Sequence, residues 1–358
     1  MGIQQVQYSF QGETRTLEYT EGDPGKPVIL LLHGAGGNIV HMTAPDSPLM
    51  SPHVNYDYTL PFPPDRDEGW SYYPGIGVWS FELDPFKQPL TSWREILGNF
   101  GFATAAYSQV NPDGFLELPV EELVVVVGTL KKIFPETPLV FLAHSRGGLL
   151  ARKFLKDHGN LVPNLTKVIT LDSPHQGSRL ANIANAVSAT ITGLKNAVGP
   201  TIAALIDDAL GWLESTVTQD AWQELAENSQ FLRDLQNGEV PLPGVQYFTF
   251  GGISVRLVRI RSWVYTIGSS LPQWHWPPFH HVITLVEVPL ISPLADSVPP
   301  FTDEIASGQG DLLTADIDCR LPFAVHQTNA INHPECLWNG TLQDQVLRIL
   351  GQDISIWG

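Results

Sequence analysis

Ser145 stands in the run Ala143-His144-Ser145-Arg146-Gly147-Gly148. An apolar stretch, 139–143, precedes it, and a stretch of helical spacing, 147–158, follows. A serine on a sharp strand-to-helix turn is pushed out above the edge of a sheet. Crowding at that turn requires small residues two positions before and two after, where Ala143 and Gly147 stand. The helix that begins there aims its N-terminus at the hydroxyl and favours negative charge developing nearby. The chemistry this suits is nucleophilic attack on a carbonyl. A second run, His33-Gly34-Ala35-Gly36-Gly37, follows the apolar Val28–Leu32. Glycines there let the main chain come close to a substrate. With Ala35 and Arg146 each offering a main-chain N–H, the two runs would make an oxyanion hole. The glycine run lacks both the distal acid of a dinucleotide site and the lysine of a phosphate loop.

A serine needs a histidine to take its proton, and the histidine needs an acid to hold its tautomer. The expected chain order is serine, acid, histidine. His333, in Asn332-His333-Pro334-Glu335, precedes a helical stretch at 342–350 and is the expected base. His326 is its rival, but it ends an apolar run, where a histidine more often serves structure. Asp311, in Gly310-Asp311-Leu312-Leu313-Thr314, is the preferred acid, with Asp303, Asp316 and Asp318 competing.

These residues need a scaffold. Residues 3–20 alternate apolar and polar, as a hairpin would. Short apolar runs at 28–32, 102–107, 139–143, 168–171 and 245–250 read as strands buried on both faces. Helical spacing at 121–134 and 147–158 falls between them. Strands alternating with helices predict an α/β chain, a mostly parallel sheet with helices on both faces. Two segments interrupt the rhythm. Residues 43–92 are rich in proline and aromatics and read as a long ordered insertion loop. Residues 178–237 are helically spaced, hold almost no charge between Arg179 and Asp207, and read as a helical cap or lid over the site. Ile191 and Leu194 lie on its apolar face and are the expected substrate contacts. A third irregular stretch, 262–300, carries histidines and tryptophans that read as packing.

The 358 residues are 43% hydrophobic and 16% charged, which suits one well-packed domain with insertions. A net charge of −17 argues against a nucleic-acid partner. No apolar run approaches the roughly 18 residues of a membrane span. The N-terminus shows no basic region followed by an apolar stretch, so no signal peptide is read there. That leaves the compartment open between the cytoplasm and a mature secreted form. Cys319 and Cys336 fit either a disulfide or two thiols, in no zinc spacing.

Together these motifs resemble those of bacterial lipases of the α/β-hydrolase superfamily and of their polyester-hydrolase and inositol-deacylase-like relatives. Leu171-Asp172-Ser173-Pro174-His175-Gln176-Gly177-Ser178 resembles a strand-end segment of those lipases. Asp311-Leu312-Leu313 resembles their acid loop, and Asn332-His333-Pro334-Glu335 their base loop. The separation from Asp311 to His333 is also similar, which supports Asp311 over its competitors. The resemblance implies a serine hydrolase of esters with an apolar acyl part, needing no cofactor. Some of those lipases hold a structural calcium through an acid two residues past the histidine. Glu335 stands there, with no partner acid evident from the sequence. The acid loop lacks the usual glycine after its aspartate, Ala143 replaces a commoner glycine, and Arg146 replaces a usual methionine or glutamine. Two other readings share the same motifs: a catalytically silent binding protein of this fold, and an acyltransferase or amidase on the same site.

Overall fold

Gln4–Phe10 (β1) and Glu13–Thr20 (β2) pair antiparallel from Gln4 opposite Tyr19 to Phe10 opposite Glu13, the hairpin expected over 3–20. The computed structural model describes residues 2–44, 91–182, 220–254, 303–306, 308–311 and 313–351, together with strands at 70–73, 77–83, 258–267 and 281–289. Val28–Leu32 (β3) is buried at every position. Its side chains divide between two cores by the two-residue period of a strand. Leu30 and Leu32 enter one core, Ile29 and Leu31 the other. Trp70–Tyr73 (β4) and Gly77–Leu83 (β5) belong to a separate sheet treated below. Ala103–Tyr107 (β6) and Leu139–His144 (β7) are again buried throughout. Leu165–Leu171 (β8) and Gln246–Gly252 (β9) extend the sheet, and Val325–Asn329 (β12) closes it.

The eight strands lie in the order β1-β2-β6-β3-β7-β8-β9-β12. From β6 to β12 every pair is parallel, and only the β1–β2 and β2–β6 pairs are antiparallel. Parallel neighbours need crossovers, and helices supply them on both faces. One face packs Glu117–Ile133 and Arg146–His158 against Leu30, Phe141 and Val168. The other packs Trp93–Asn99 and Gly340–Ile349 against Ile29, Leu142 and Phe250. Ser92 caps one of these helices by accepting from Glu95 N at 3.0 Å, and Asn339 caps another through Leu342 N at 3.1 Å. Each fixes a helix start by satisfying an N–H that the helix cannot.

The insertion expected as a loop over 43–92 contains β4 and β5 instead. They join Val258–Ile267 (β10) and His281–Pro289 (β11) in a second, fully antiparallel sheet of order β11-β10-β5-β4. Residues 262–300, expected to be irregular, therefore also contain strand. The physical reason is the aromatic and β-branched content of Trp70–Tyr73, Gly77–Leu83 and Val258–Ile267, which suits a pleated sheet. Pairing across more than 170 positions of sequence, as between Trp79 and Ser262, leaves no local trace.

Only the ends of 178–237 are described. Arg179–Asn182, Ala221–Leu225 and Gln230–Gln236 are helical. Trp222, Leu225, Leu232 and Leu235 enter the same core as Leu30 and Phe141. Ile191 and Leu194 lie outside the described residues. Among the described residues no helix is long and apolar enough to cross a membrane.

Candidate active site

Ser145 occupies the single position between β7 and the helix Arg146–His158. Its backbone takes φ 54° and ψ −130°, a conformation that side chains rarely adopt. Its N–H donates to Leu171 O at 2.8 Å, and its hydroxyl makes no capping bond to the helix it starts. The hydroxyl is therefore not committed to structure. The crowding expected from the motif is present. A Cβ on Gly147 would lie 2.6 Å from Leu32 O, and one on Gly148 would overlap Ser173. Gly34 brings the 33–37 loop onto Ser145: a Cβ there would stand 2.7 Å from Ser145 Cβ and 3.2 Å from its Oγ.

His333 follows β12, and its Nδ1–H donates to Asp311 Oδ2 at 2.7 Å. Asp311 is fully buried. Its other oxygen accepts from Leu313 N at 2.8 Å and Thr314 N at 2.6 Å. The missing glycine after the aspartate is thus no obstacle, because the turn closes on the two amides beyond it. His333 N also donates to Asp311 O at 2.9 Å, which joins the acid and base loops through main chain. With Nδ1 protonated, Nε2 of His333 is left as a proton acceptor. The His144 ring lies against His333, with centroids 4.9 Å apart, and its Nε2–H donates to His333 O at 3.2 Å. Burial first, and then the neighbouring His333, hold His144 well below the usual imidazole range, so it is neutral.

Two of the rival residues, His326 and Asp316, pair with each other. His326 bonds Asp316 Oδ1 at 2.9 Å and Thr249 Oγ1 at 2.8 Å. Burial alone would raise the Asp316 carboxyl, but bonds from His326, Arg320 and Thr328 hold it well below the usual carboxylate range. Asp303 pairs with Arg179 at 3.3 Å. Asp318 is pushed up to about 7 by burial first and by Glu304 next. His175 of the strand-end segment is buried between Thr170 and Arg152 and serves structure.

Two backbone donors, one next to Ser145 in the chain and one next to Gly34, have no acceptor among the described residues. Among the described residues, neither the Ala35 N–H nor the Arg146 N–H bonds a protein group. The Ala35 loop is braced from behind. Gln109 N donates to His33 Nε2 at 2.9 Å, and Gln109 Nε2 donates to His33 O at 2.6 Å. Burial lowers His33 to about 3, which keeps its ring neutral and able to accept. Arg146 does more than its main chain announces. Its guanidinium is buried and donates to Pro112 O at 2.8 Å and to Gly114 O, and it pairs with Glu224 at 3.4 Å. Gly36 N also donates to Pro112 O, at 3.3 Å. One carbonyl thus ties the 33–37 loop to the Arg146 side chain.

Glu224 and Asp172 were not singled out as site residues by the sequence. Glu224 pairs with an arginine 78 positions away, which no local pattern signals. Asp172 follows β8 inside the strand-end segment, where only its place directly after a buried strand could have drawn notice. Glu335 is used locally: its Oε2 accepts from Asn332 N at 2.8 Å while Asn332 Oδ1 accepts from Glu335 N at 3.1 Å. Among the described residues, the grouping of acids and histidine close enough to share an ion is Asp172, Asp311 and His333, without Glu335. Both cysteines are buried thiols.

Neither a protein-family model nor a curated protein matches the sequence. Solved structures do. The mature form of a lipase from Bacillus licheniformis is 18% identical, over 92% of this chain and 94% of that one, with a TM-score of 0.51. The propeptide form of the same lipase is 17% identical, over 94% of this chain, with a TM-score of 0.50; this chain spans 54% of that longer one. At such identities the likeness concerns the fold. Strand order, crossovers and a serine turn after the central strand agree with it, and the chain has the α/β-hydrolase fold.

Proposed function

We propose that this chain hydrolyses carboxylic esters through an acyl-enzyme on Ser145. The observation that carries the reading is the 2.7 Å His333–Asp311 pair, whose histidine ring lies 4.9 Å from that of His144, the chain neighbour of a Ser145 hydroxyl that makes no capping bond. His333 Nε2 takes the Ser145 proton as Oγ bonds to the ester carbonyl carbon. The carbonyl oxygen gains negative charge and is held by the Ala35 and Arg146 N–H groups. The proton passes from His333 to the departing alcohol, and the C–O bond breaks. Water then repeats the sequence on the acyl-enzyme and releases the acid. Asp311 keeps His333 in the tautomer that accepts at Nε2. A preference for apolar acyl groups, as in lipid or polyester substrates, rests on the near absence of charge between Arg179 and Asp207 and on the resemblance of the motifs.

The test is labelling and turnover together. A fluorophosphonate should label wild-type protein on Ser145, whereas Ser145→Ala should stay unlabelled. Ser145→Ala and His333→Ala should each lose at least about a thousandfold in kcat on p-nitrophenyl esters. Full turnover by His333→Ala, with His326→Ala inactive, would assign the base to His326. An unlabelled wild-type protein would favour a silent binding role. Triglycerides, short p-nitrophenyl esters, an aliphatic polyester and matched amides, run side by side, would rank the substrate classes and separate ester hydrolysis from amidase action.

A further inference from the structure

One buried acid beside the triad has no part in this scheme. Asp172 follows β8 directly and is fully buried. One side-chain ligand atom from each of Asp172, Asp311 and His333 lies within 4.8 Å of the others. The approach of the two carboxyls is built into the fold. Gly252, at the end of β9, leaves the room: a Cβ there would stand 2.8 Å from Asp311 Cβ and 3.1 Å from Asp172 Oδ2. Asp172 is held in place by its N–H, which donates to Phe250 O at 2.9 Å, and by the Cys336 thiol, which donates to Oδ2. Its backbone sits at φ +46°, where glycine or asparagine would be equally at home.

Two buried carboxyls this close do not both ionise, since each charge opposes the other and neither is solvated. The hydrogen bonds decide which one keeps the proton. Asp311 accepts from His333 and from two amides. Asp172 accepts from the Cys336 thiol and from the Gly252 main chain, one fewer than Asp311, and its Oδ1 has no partner within bonding distance. Charge therefore settles on Asp311 and the proton on Asp172. The direction of the Asp172 pKa agrees: burial first, then Asp311, push it well above the carboxylate range.

We propose that Asp172 is a second acid of the base, a positioning residue that holds the shared proton while Asp311 orients His333 and that becomes the carboxylate partner of His333 when Asp311 is removed. This rests on the esterase reading of Ser145 and His333.

The test compares Asp311→Asn, Asp172→Asn and the double variant on p-nitrophenyl butyrate from pH 5 to 10, with fluorophosphonate labelling of each. Asp311→Asn should lose about 10- to 100-fold in kcat, and the double variant should lose at least about 100-fold more, toward the loss seen when a triad acid is absent altogether. The acid limb of the profile adds a readout that a merely structural acid would not move. A carboxylate beside an imidazole raises its pKa. The limb of Asp311→Asn should stay near that of wild type and drop to lower pH in the double variant. Should Asp172→Asn fail to melt cooperatively, Asp172→Gly, which suits the left-handed backbone, replaces it. If Asp311→Asn already shows the rate and acid limb of the double variant, Asp172 does not back the base, although Ser145 still labels in wild type. No labelling of Ser145 in wild type overturns both readings.

Discussion

Ser145 is held at φ 54° by its surroundings rather than by its own preference. A non-glycine residue in such a conformation costs about 1–3 kcal/mol, and the cost persists because neighbouring structure over-determines it. Leu171 O anchors its N–H, and Leu32 and His33 carbonyls wall in Gly147 two residues on. Ser145→Ala keeps the Cβ and so keeps the strain. Ser145→Gly relieves it, less the extra chain entropy that glycine brings to the unfolded state. Both variants should be inactive, but the glycine variant should be the more stable by about 1 kcal/mol, an offset of a few degrees in Tm. Calorimetry of the pair checks this, and equal melting would mean that the turn is unstrained. The serine turn, His333 and Asp311 were legible as residues because each sits in a short contiguous motif. Asp172 was not. Its partners Asp311 and Cys336 are more than 130 positions away, and nothing local distinguishes it from a loop carboxylate.

Between elements, the Arg146 side chain is the joint that matters. It starts the helix behind the nucleophile and reaches Pro112 O, Gly114 O and Glu224. Glu224 in turn accepts from Leu116 N at 3.0 Å, and Ala221 N donates to Asp113 O at 2.9 Å. The loop at 112–116, the helix Ala221–Leu225 and the Ala35 loop are thereby tied to one guanidinium. Burial pulls the guanidinium's pKa down, and Glu224 opposes that. Removing its counter-charge would leave a buried cation unpaired, a cost of about 3–5 kcal/mol in comparable sites. Arg146→Met keeps the volume and the main-chain N–H that the proposed mechanism uses but releases Pro112. Its kcat should fall about 10- to 100-fold with KM little changed, because the loss concerns donors that act mainly in the transition state. Steady-state kinetics on a short ester checks this; a rise in KM alone would assign Arg146 to substrate binding. The parallel strands were readable from their apolar runs, since a strand buried on both faces hides no polar period. The second sheet was not, since β5 pairs with β10 across the span of the main fold. The helix at Glu117–Ile133 begins four residues before its helical spacing is evident, because Pro119 tolerates a first turn but obscures the pattern.

On the scale of the whole molecule, acids outnumber bases by 37 to 20, and some of that charge is held at a cost. Asp318 lies near Glu304, Glu227 and Asp303, with Arg179 as the opposing charge. Its pKa in the fold, about 7, exceeds the model-peptide value of 3.8. The folded protein therefore binds more protons than the unfolded chain between those two values, and stability falls as pH rises from about 4 to about 7. Asp318→Asn should leave stability near pH 4 almost unchanged and raise it above pH 7. Urea melts at the two pH values check the difference, and an equal shift at both would mean that Asp318 is solvated and ordinary. The strand order has a further meaning in time. A chain is made from its N-terminus, and domains begin to assemble as they emerge. By residue 171 six of the eight strands of the main sheet exist, β1, β2, β3, β6, β7 and β8, and Ser145 is among them. The acid and the base come with residues 311 and 333, on either side of the edge strand β12. A growing chain can thus display a formed sheet and a shaped serine turn while lacking the means to take the serine's proton. On the proposed reading, newly made protein stays harmless to the esters around it until His333 has left the ribosome and β12 has docked.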